Sequence, residues 1–188
     1  FHNSIIFLTG ILLFFFLLIK NYKKKDLILL CFVFFILLIS FFGFKTHDDF
    51  PYYHFPYTNY LTTSEIIIGV GNYDPSWRYP SSIFYFNSLF YLPIIKYFLY
   101  HIGALLIMGF SIFTISLKIS EKYNLKKYDQ LFFYNLLSLS FILIFFYRLA
   151  EHGTDRSAQI LSFVLIFEIL IFFNKDEIFN SFSTKIFA

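Results

Sequence analysis

The sequence predicts an all-α, polytopic bundle of transmembrane helices, and three observations carry that expectation. Hydrophobic residues make up 58% of the 188, charged residues only 14%, and the mean hydropathy is +0.66. A water-soluble domain cannot hide that much apolar surface. The apolar residues gather into five runs, at about 4–19, 27–44, 97–117, 131–147 and 157–173, each near the roughly 17–25 residues that cross a bilayer. The basic residues are also segregated. Of the twelve lysines, ten fall within 20–25, within 118–127, or at Lys175 and Lys185. The three arginines (Arg78, Arg148, Arg156) lie elsewhere, beside acids and histidines. Lysine clusters set membrane topology, whereas the arginine fork suits anion recognition.

Each element follows in chain order. The first run is read as a span rather than a signal peptide, because its basic residues follow it and no small-residue cleavage site appears. The positive-inside rule places Asn21–Asp26 (NYKKKD) in the cytoplasm and residues 45–80 outside. Residues 118–127 (KISEKYNLKK) then return to the cytoplasm, residues 148–156 lie outside, and the tail from Asn174 is cytoplasmic. Residues 81–117 are too long for one span and are broken by Asn87, Pro93 and Lys96. Only one crossing keeps the lysines on one side, so Ser81–Leu92 is expected to lie along the outer interface or to re-enter, an amphipathic, Tyr-rich interfacial helix being the expected form, with about 97–117 crossing. Within the long loop, Thr62-Thr63-Ser64-Glu65 fits a capping box opening a short helix at Ile66–Ile68, which Gly69-Val70-Gly71 would end.

No repeat or linker divides the chain, so residues 1–188 are read as one transmembrane domain with external loops at 45–80 and 148–156. The chain opens on Phe1 rather than Met and is expected to be the N-terminal part of a longer polypeptide. The single cysteine, Cys31, excludes an internal disulfide and any cysteine-based metal site. No nucleic-acid partner is expected.

Two loops concentrate the groups capable of chemistry. The first, His47-Asp48-Asp49-Phe50-Pro51-Tyr52-Tyr53-His54, directly follows a span. The second, Arg148 to Arg156 (RLAEHGTDR), joins two spans and holds Arg148, Glu151, His152, Asp155 and Arg156. A mere connector needs no such density of ionisable groups. Adjacent carboxylates at Asp48 and Asp49 suit a general base with a companion that orients it or holds a cation, and crowding raises one pKa. The bland alternative is an acidic helix cap. The flanking His47, Tyr52, Tyr53 and His54 favour a partly dry, hydrogen-bonded site. For the arginines the bland reading is snorkelling or pairing with Glu151, Asp155 and Asp74; the functional one is a phosphate or carboxylate site. Glu151 with Asp155, and His152 with Arg156, share helical faces if the short loop stays helical.

His47, Asp48, Asp49, His54 and His152 also offer enough nitrogen and oxygen ligands for zinc or manganese, and Asp48 or Asp49 for a hard cation, although the spacing matches no metal motif. No cofactor beyond such a divalent cation is implied. His101 and Glu168 fall inside spans, and Trp77 with Tyr73, Tyr79 and Tyr85 reads as an interfacial belt.

Asp48-Asp49-Phe50-Pro51-Tyr52-Tyr53 after an early span resembles the Asp-Asp/Glu-x-x-Tyr signature of GT-C glycosyltransferases, and the aromatic loop with an interfacial helix is similar to their architecture. Gly69-Val70-Gly71-Asn72, Tyr79-Pro80-Ser81-Ser82 and Glu151 to Arg156 resemble a loosely related set of bacterial multi-pass proteins. The likeness covers about residues 40–160. Here two apolar runs precede the loop where the family usually has one, and the chain is far shorter.

The resemblance implies a GT-C-like fold in a bacterial inner membrane. It implies a polyprenyl-phosphate sugar donor, a glycan or lipid acceptor, and a site on the periplasmic face. Asp48 matches the general base and Asp49 its companion, with Arg148, Arg156 or Arg78 left to hold the departing phosphate. The alternatives are a polysaccharide polymerase or ligase, a transporter subunit, which would carry polar groups within its spans, and a structural membrane subunit, which would need no clustered loop.

Overall fold

The computed structural model describes residues 2–21, 23–43, 47–65, 67–79, 81–92, 94–153 and 155–174. Those residues are all-helical, with no strand among them. The expectations placed on Lys45, Ile66, Pro80, Pro93, Thr154, Lys175 and Lys185 lie outside the described residues.

Each of the five apolar runs forms a helix: α1 (His2–Asn21), α2 (Lys24–Gly43), α6 (Ile102–Asn124), α7 (Gln130–Phe145) and α8 (Asp155–Asn174). Between α2 and α6 lie three short helices, α3 (Phe55–Thr63), α4 (Val70–Tyr73) and α5 (Ser82–Ser88). Three stretches are long and apolar enough to cross a membrane: Lys24–Phe42, Tyr97–Asn124 and Asp155–Phe173. The apolar stretches Ile5–Leu18 and Gln130–Phe145 are shorter. At 1.5 Å per residue α7 measures about 24 Å, against a hydrocarbon core of about 30 Å. Large side chains such as Leu12, Phe16, Phe35, Ile39, Leu137, Ile144, Leu165 and Phe173 stand exposed on the flanks of the long helices. A bilayer solvates such a surface; water does not.

Helix α6 is the centre of the packing. Its Ala104, Leu105, Met108, Ile112 and Ile115 are buried against Val33, Leu37 and Phe41 of α2, Ile142 of α7 and Ile160 of α8. Helix α2 runs antiparallel to α6. Phe41, near the end of α2, lies 6.2 Å from His101, which caps the start of α6, and Phe34 lies 5.2 Å from Phe110 farther along. The seam is tight at Gly109, where a Cβ would come within 2.6 Å of the Phe34 ring. Helix α1 joins through Phe14 on Phe110 and Phe7 on Phe90.

The ends are closed by local chemistry. Asp129 caps α7, its carboxylate accepting from the Phe132 N–H at 2.9 Å, and pairs with Lys122 at the end of α6. Lys126, at φ 53°, supplies the left-handed residue that turns the chain out of α6. One end of the bundle therefore carries Lys23–Lys25 and Lys118–Lys127, and the other carries residues 47–101 and 146–156.

Two local expectations are corrected. Thr62 to Glu65 does not open a helix: it closes α3, with the Thr62 and Thr63 hydroxyls both donating to the Asn59 carbonyl. The hydroxyls find that carbonyl one turn back, so no capping box forms. Gly69, at φ 89°, does not end a helix but leads into the single turn α4. The interfacial segment 81–92 contains α5, only seven residues long, packed on α3 and α6. Tyr57, Ile83 and Phe84 form a second, largely aromatic core under this loop, with Trp77 half-buried against it. Tyr73 and Tyr79 do stand exposed.

The α2–α6 seam gives a direct test. Gly109→Val must displace the Phe34 ring, so it is expected to destabilise the protein by about 1–3 kcal/mol. Gly10, with nothing within 4 Å of its missing Cβ, should accept Val within about 0.5 kcal/mol. Unfolding of both variants in detergent micelles measures the difference.

Candidate functional site

The site begins where α2 ends. His47, Asp48 and Asp49 form a turn, and Phe50–His54 follows as one wide π-helical turn before α3. Pro51 has no N–H to donate and so suits the first positions of a helix. The Asp49 carbonyl then accepts from the N–H groups of Tyr52, Tyr53 and His54, at 3.2, 3.1 and 3.4 Å. The five-residue step from Asp49 to His54 turns the His54 ring back toward His47, with ring centroids 5.1 Å apart. The Asp49 N–H donates to His47 Nδ1 at 3.1 Å, and the Asp49 carboxylate lies 3.8 Å from that nitrogen. Single donor atoms of His47, Asp49 and His54 fit within 4.8 Å of one another.

The second loop folds over this turn. A Cβ on Gly153 would sit 3.3 Å from two atoms of the His47 ring and 3.4 Å from the His54 ring. The Ser40 hydroxyl, near the end of α2, donates to the Tyr147 carbonyl and fixes the loop's other end. His101 completes the group, its ring 4.4 Å from Phe50. His54 and His152 are buried, and His54 Nε2, His101 Nε2 and His152 Nδ1 have no hydrogen-bond partner among the described residues.

Electrostatics follow from burial. His54 is pushed down to about 4, by burial first and then by His47, against the opposing pull of Asp49 and Asp155. His152 is also pushed down to about 4 by burial, although its Nε2–H donates to the Phe146 carbonyl at 2.8 Å. The Tyr53 phenol is raised by burial and by the charges of Asp49 and Asp155. Its ring sits edge-on to His54 at 4.3 Å.

The residues singled out in the sequence divide into three groups. His47, Asp49, Tyr53 and His54 lie together, with Gly153 against the two imidazoles and the charge of Asp155 reaching Tyr53 and His54. Asp48 and Tyr52 are exposed on the same turn. Arg148 is exposed, donating to the Tyr147 hydroxyl at 2.9 Å and lying 3.6 Å from the Glu151 carboxylate. Arg156 is half-buried in the first turn of α8, behind Asp155, and its charge reaches His152. Arg78 is held apart, donating to the Gly71 carbonyl at 3.1 Å.

The short loop does not stay helical. It makes one 3-10 turn at Leu149–Glu151 and then extends at His152, so Glu151 faces Arg148 rather than Asp155. Two participants were not assigned roles from sequence, His101 and Gly153. His101 stands five residues after the break at Lys96, where hydropathy merges it with the span. Gly153 has no side chain to signal anything.

No protein-family model, curated protein or solved structure matches the chain. The functional reading therefore rests on the geometry.

His152 carries a pH prediction. Its folded pKa, about 4, lies below the ordinary 6.5, so the unfolded chain binds the proton more readily. Its contribution is complete above about pH 6.5 and is lost as pH falls toward 4. His152→Gln can still donate to the Phe146 carbonyl but does not titrate, so its melting temperature should fall less than wild type's between about pH 7 and pH 4.5. Equal falls would show that His152 is not held neutral.

Proposed function

We propose that this chain belongs to a membrane-embedded transferase that moves a sugar from a polyprenyl-phosphate donor to an acceptor hydroxyl at one membrane face. The observation that carries the reading is the contact of Gly153 with His47 and His54. That contact joins the Asp48–Asp49 turn to the loop bearing Arg148 and Arg156. A carboxylate base and a guanidinium carried at the same bundle end suit displacement at an anomeric carbon. In this reading all five long helices cross, α1 and α7 with help from their flanks, in a GT-C-like arrangement. The lysine-poor end is the periplasmic or outer face of a bacterial inner membrane.

The chemistry is a single displacement. Asp48 accepts the proton of the acceptor hydroxyl as its oxygen bonds to the anomeric carbon. The bond from that carbon to the phosphate oxygen breaks, and polyprenyl phosphate departs with the electron pair. Arg156, with Arg148 at the rim, stabilises the charge that gathers on the phosphate. An open apolar cleft of about 330 Å³ supports a lipid-borne donor. It is bordered by Phe86 of α5, Leu106, Ile107 and Phe110 of α6, and Leu161 and Val164 of α8. It begins about 8 Å along α6 from His101, so a headgroup at the site would leave its tail beside the cleft.

Turnover of polyprenyl-phosphate-linked hexose and pentose donors by the full-length protein in vesicles tests this. Asp48→Asn should lower turnover by roughly 10²–10⁴-fold while leaving donor binding largely intact. Arg156→Lys keeps the charge but loses the fork, so donor affinity should weaken. Near-normal turnover in both Asp48→Asn and Asp49→Asn would return the turn to an acidic helix cap.

Sidedness is tested separately, by labelling cysteines at the exposed Lys23 and Tyr79 positions with an impermeant reagent, Cys31 being replaced. Intact cells should label position 79 and not position 23. The reverse would put the site on the cytoplasmic face.

A further inference from the structure

We infer that His47, Asp49 and His54 bind one divalent transition-metal ion of the zinc class, with a coordination position left open under Gly153. The inference stands on its own geometry and does not depend on the glycosyl-transfer reading.

The donor set comes first. Two imidazoles and one carboxylate suit zinc, manganese, iron or cobalt, whereas magnesium and calcium prefer oxygen alone. Their donor atoms already lie within 4.8 Å of one another, and His47 Nδ1 is 3.8 Å from the Asp49 carboxylate. Ligands at about 2.0–2.2 Å around a tetrahedral ion stand roughly 3.4 Å apart. The three groups therefore need to close by at most roughly 1.4 Å.

The backbone is built to hold them. His47 and Asp49 flank one turn, and the wide π-helical step brings His54 round beside them. The Asp49 carbonyl, accepting three N–H groups, fixes that step. Turns of this type recur at functional sites.

The imidazoles are also under-used. His54 is 6% exposed, yet its Nε2 has no partner among the described residues. The Asp49 N–H occupies the His47 Nδ1 lone pair through a two-residue contact, which an ion can displace by a small ring rotation. Gly153 stands against both rings, where any side chain would fill the space beside them. Three protein ligands with an open position is the pattern of a catalytic rather than a structural zinc site, the fourth place being left to water or a substrate oxygen.

The test is metal binding by the purified chain in detergent micelles after chelator stripping. Co²⁺ is titrated and read by its visible d–d absorption, with Zn²⁺ and Mg²⁺ as competitors. One Co²⁺ per chain is expected, displaced by Zn²⁺ and not by Mg²⁺, and Zn²⁺ should raise the melting temperature. Asp49→Asn and His54→Gln should each weaken binding at least about tenfold. Glu121→Gln, exposed at the far end of α6, should leave it unchanged. If the buried His54 variant does not fold, His47→Gln, on the more exposed ring, reads the same site.

The inference is overturned if cooperatively melting wild-type protein takes up no Co²⁺, or if affinity survives loss of Asp49 and either histidine. It is overturned equally if Mg²⁺ competes as well as Zn²⁺, which would mean a hard-cation site at the carboxylates. None of these readouts involves sugar transfer.

Discussion

The antiparallel seam between α2 and α6 is the constraint on which the rest depends. Gly109 lets the two helices approach until the Phe34 ring fills the place of its side chain. Because the seam is antiparallel, the chain leaves α2 and enters α6 at the same end of the bundle. The 58 residues between them, 44–101, must therefore fold back over that end. Helices α7 and α8 pack on the other flanks of α6, and their connection is too short to reach any other place. Two loops distant in sequence are thus delivered to one spot by helix packing alone.

What happens at that spot is set by the difference between two environments. The lysine end is open: Lys122 and Asp129 pair across a turn, and α7 is capped in the ordinary way. The opposite end is closed, with imidazole, phenol and phenyl rings packed edge-on or tilted at 4.3 to 6.2 Å. Aromatic packing of this kind excludes water, and exclusion of water depresses the histidine pKa values while strengthening any charge left inside. The carboxylates of Asp48 and Asp49 stay at the exposed rim of this dry patch. A substrate arriving from a bilayer would meet the rim before the interior.

The helices were legible in the sequence because apolar runs and lysine clusters report solvent directly, and each run became a helix. Helix ends and short helices were less legible. Hydropathy could not say that α7 is shorter than the hydrocarbon core, nor that Thr62 and Thr63 would turn their hydroxyls back on Asn59 rather than forward into a cap. The ionisable residues of the two loops stood out in the sequence because their density exceeded what a connector needs. The Arg148–Glu151 pair was among the readings the residues offered, but the backbone path to it was not. Glu151 meets Arg148 because the loop takes a 3-10 turn and then extends, and composition does not encode that geometry. His101 was singled out as an ionisable group within a span, but its place beside the loops was not legible, because a window of neighbours averages a helix-capping residue into the span behind it.

The histidines give the strongest physical argument that this end of the fold serves a purpose. A buried imidazole with an unpartnered nitrogen is destabilising by about 1–3 kcal/mol. Among the described residues three rings, those of His54, His101 and His152, hold a buried nitrogen of this kind. A phenylalanine at each position would fill comparable volume with no polar atom to satisfy, and the chain, with 31 phenylalanines, uses that residue freely elsewhere. Sequences depart from local consistency chiefly where function requires it. Packing α2 against α6 does not require imidazoles, and neither does exclusion of water. What an imidazole adds over a phenyl ring is a nitrogen able to give or take a proton, or to offer an electron pair.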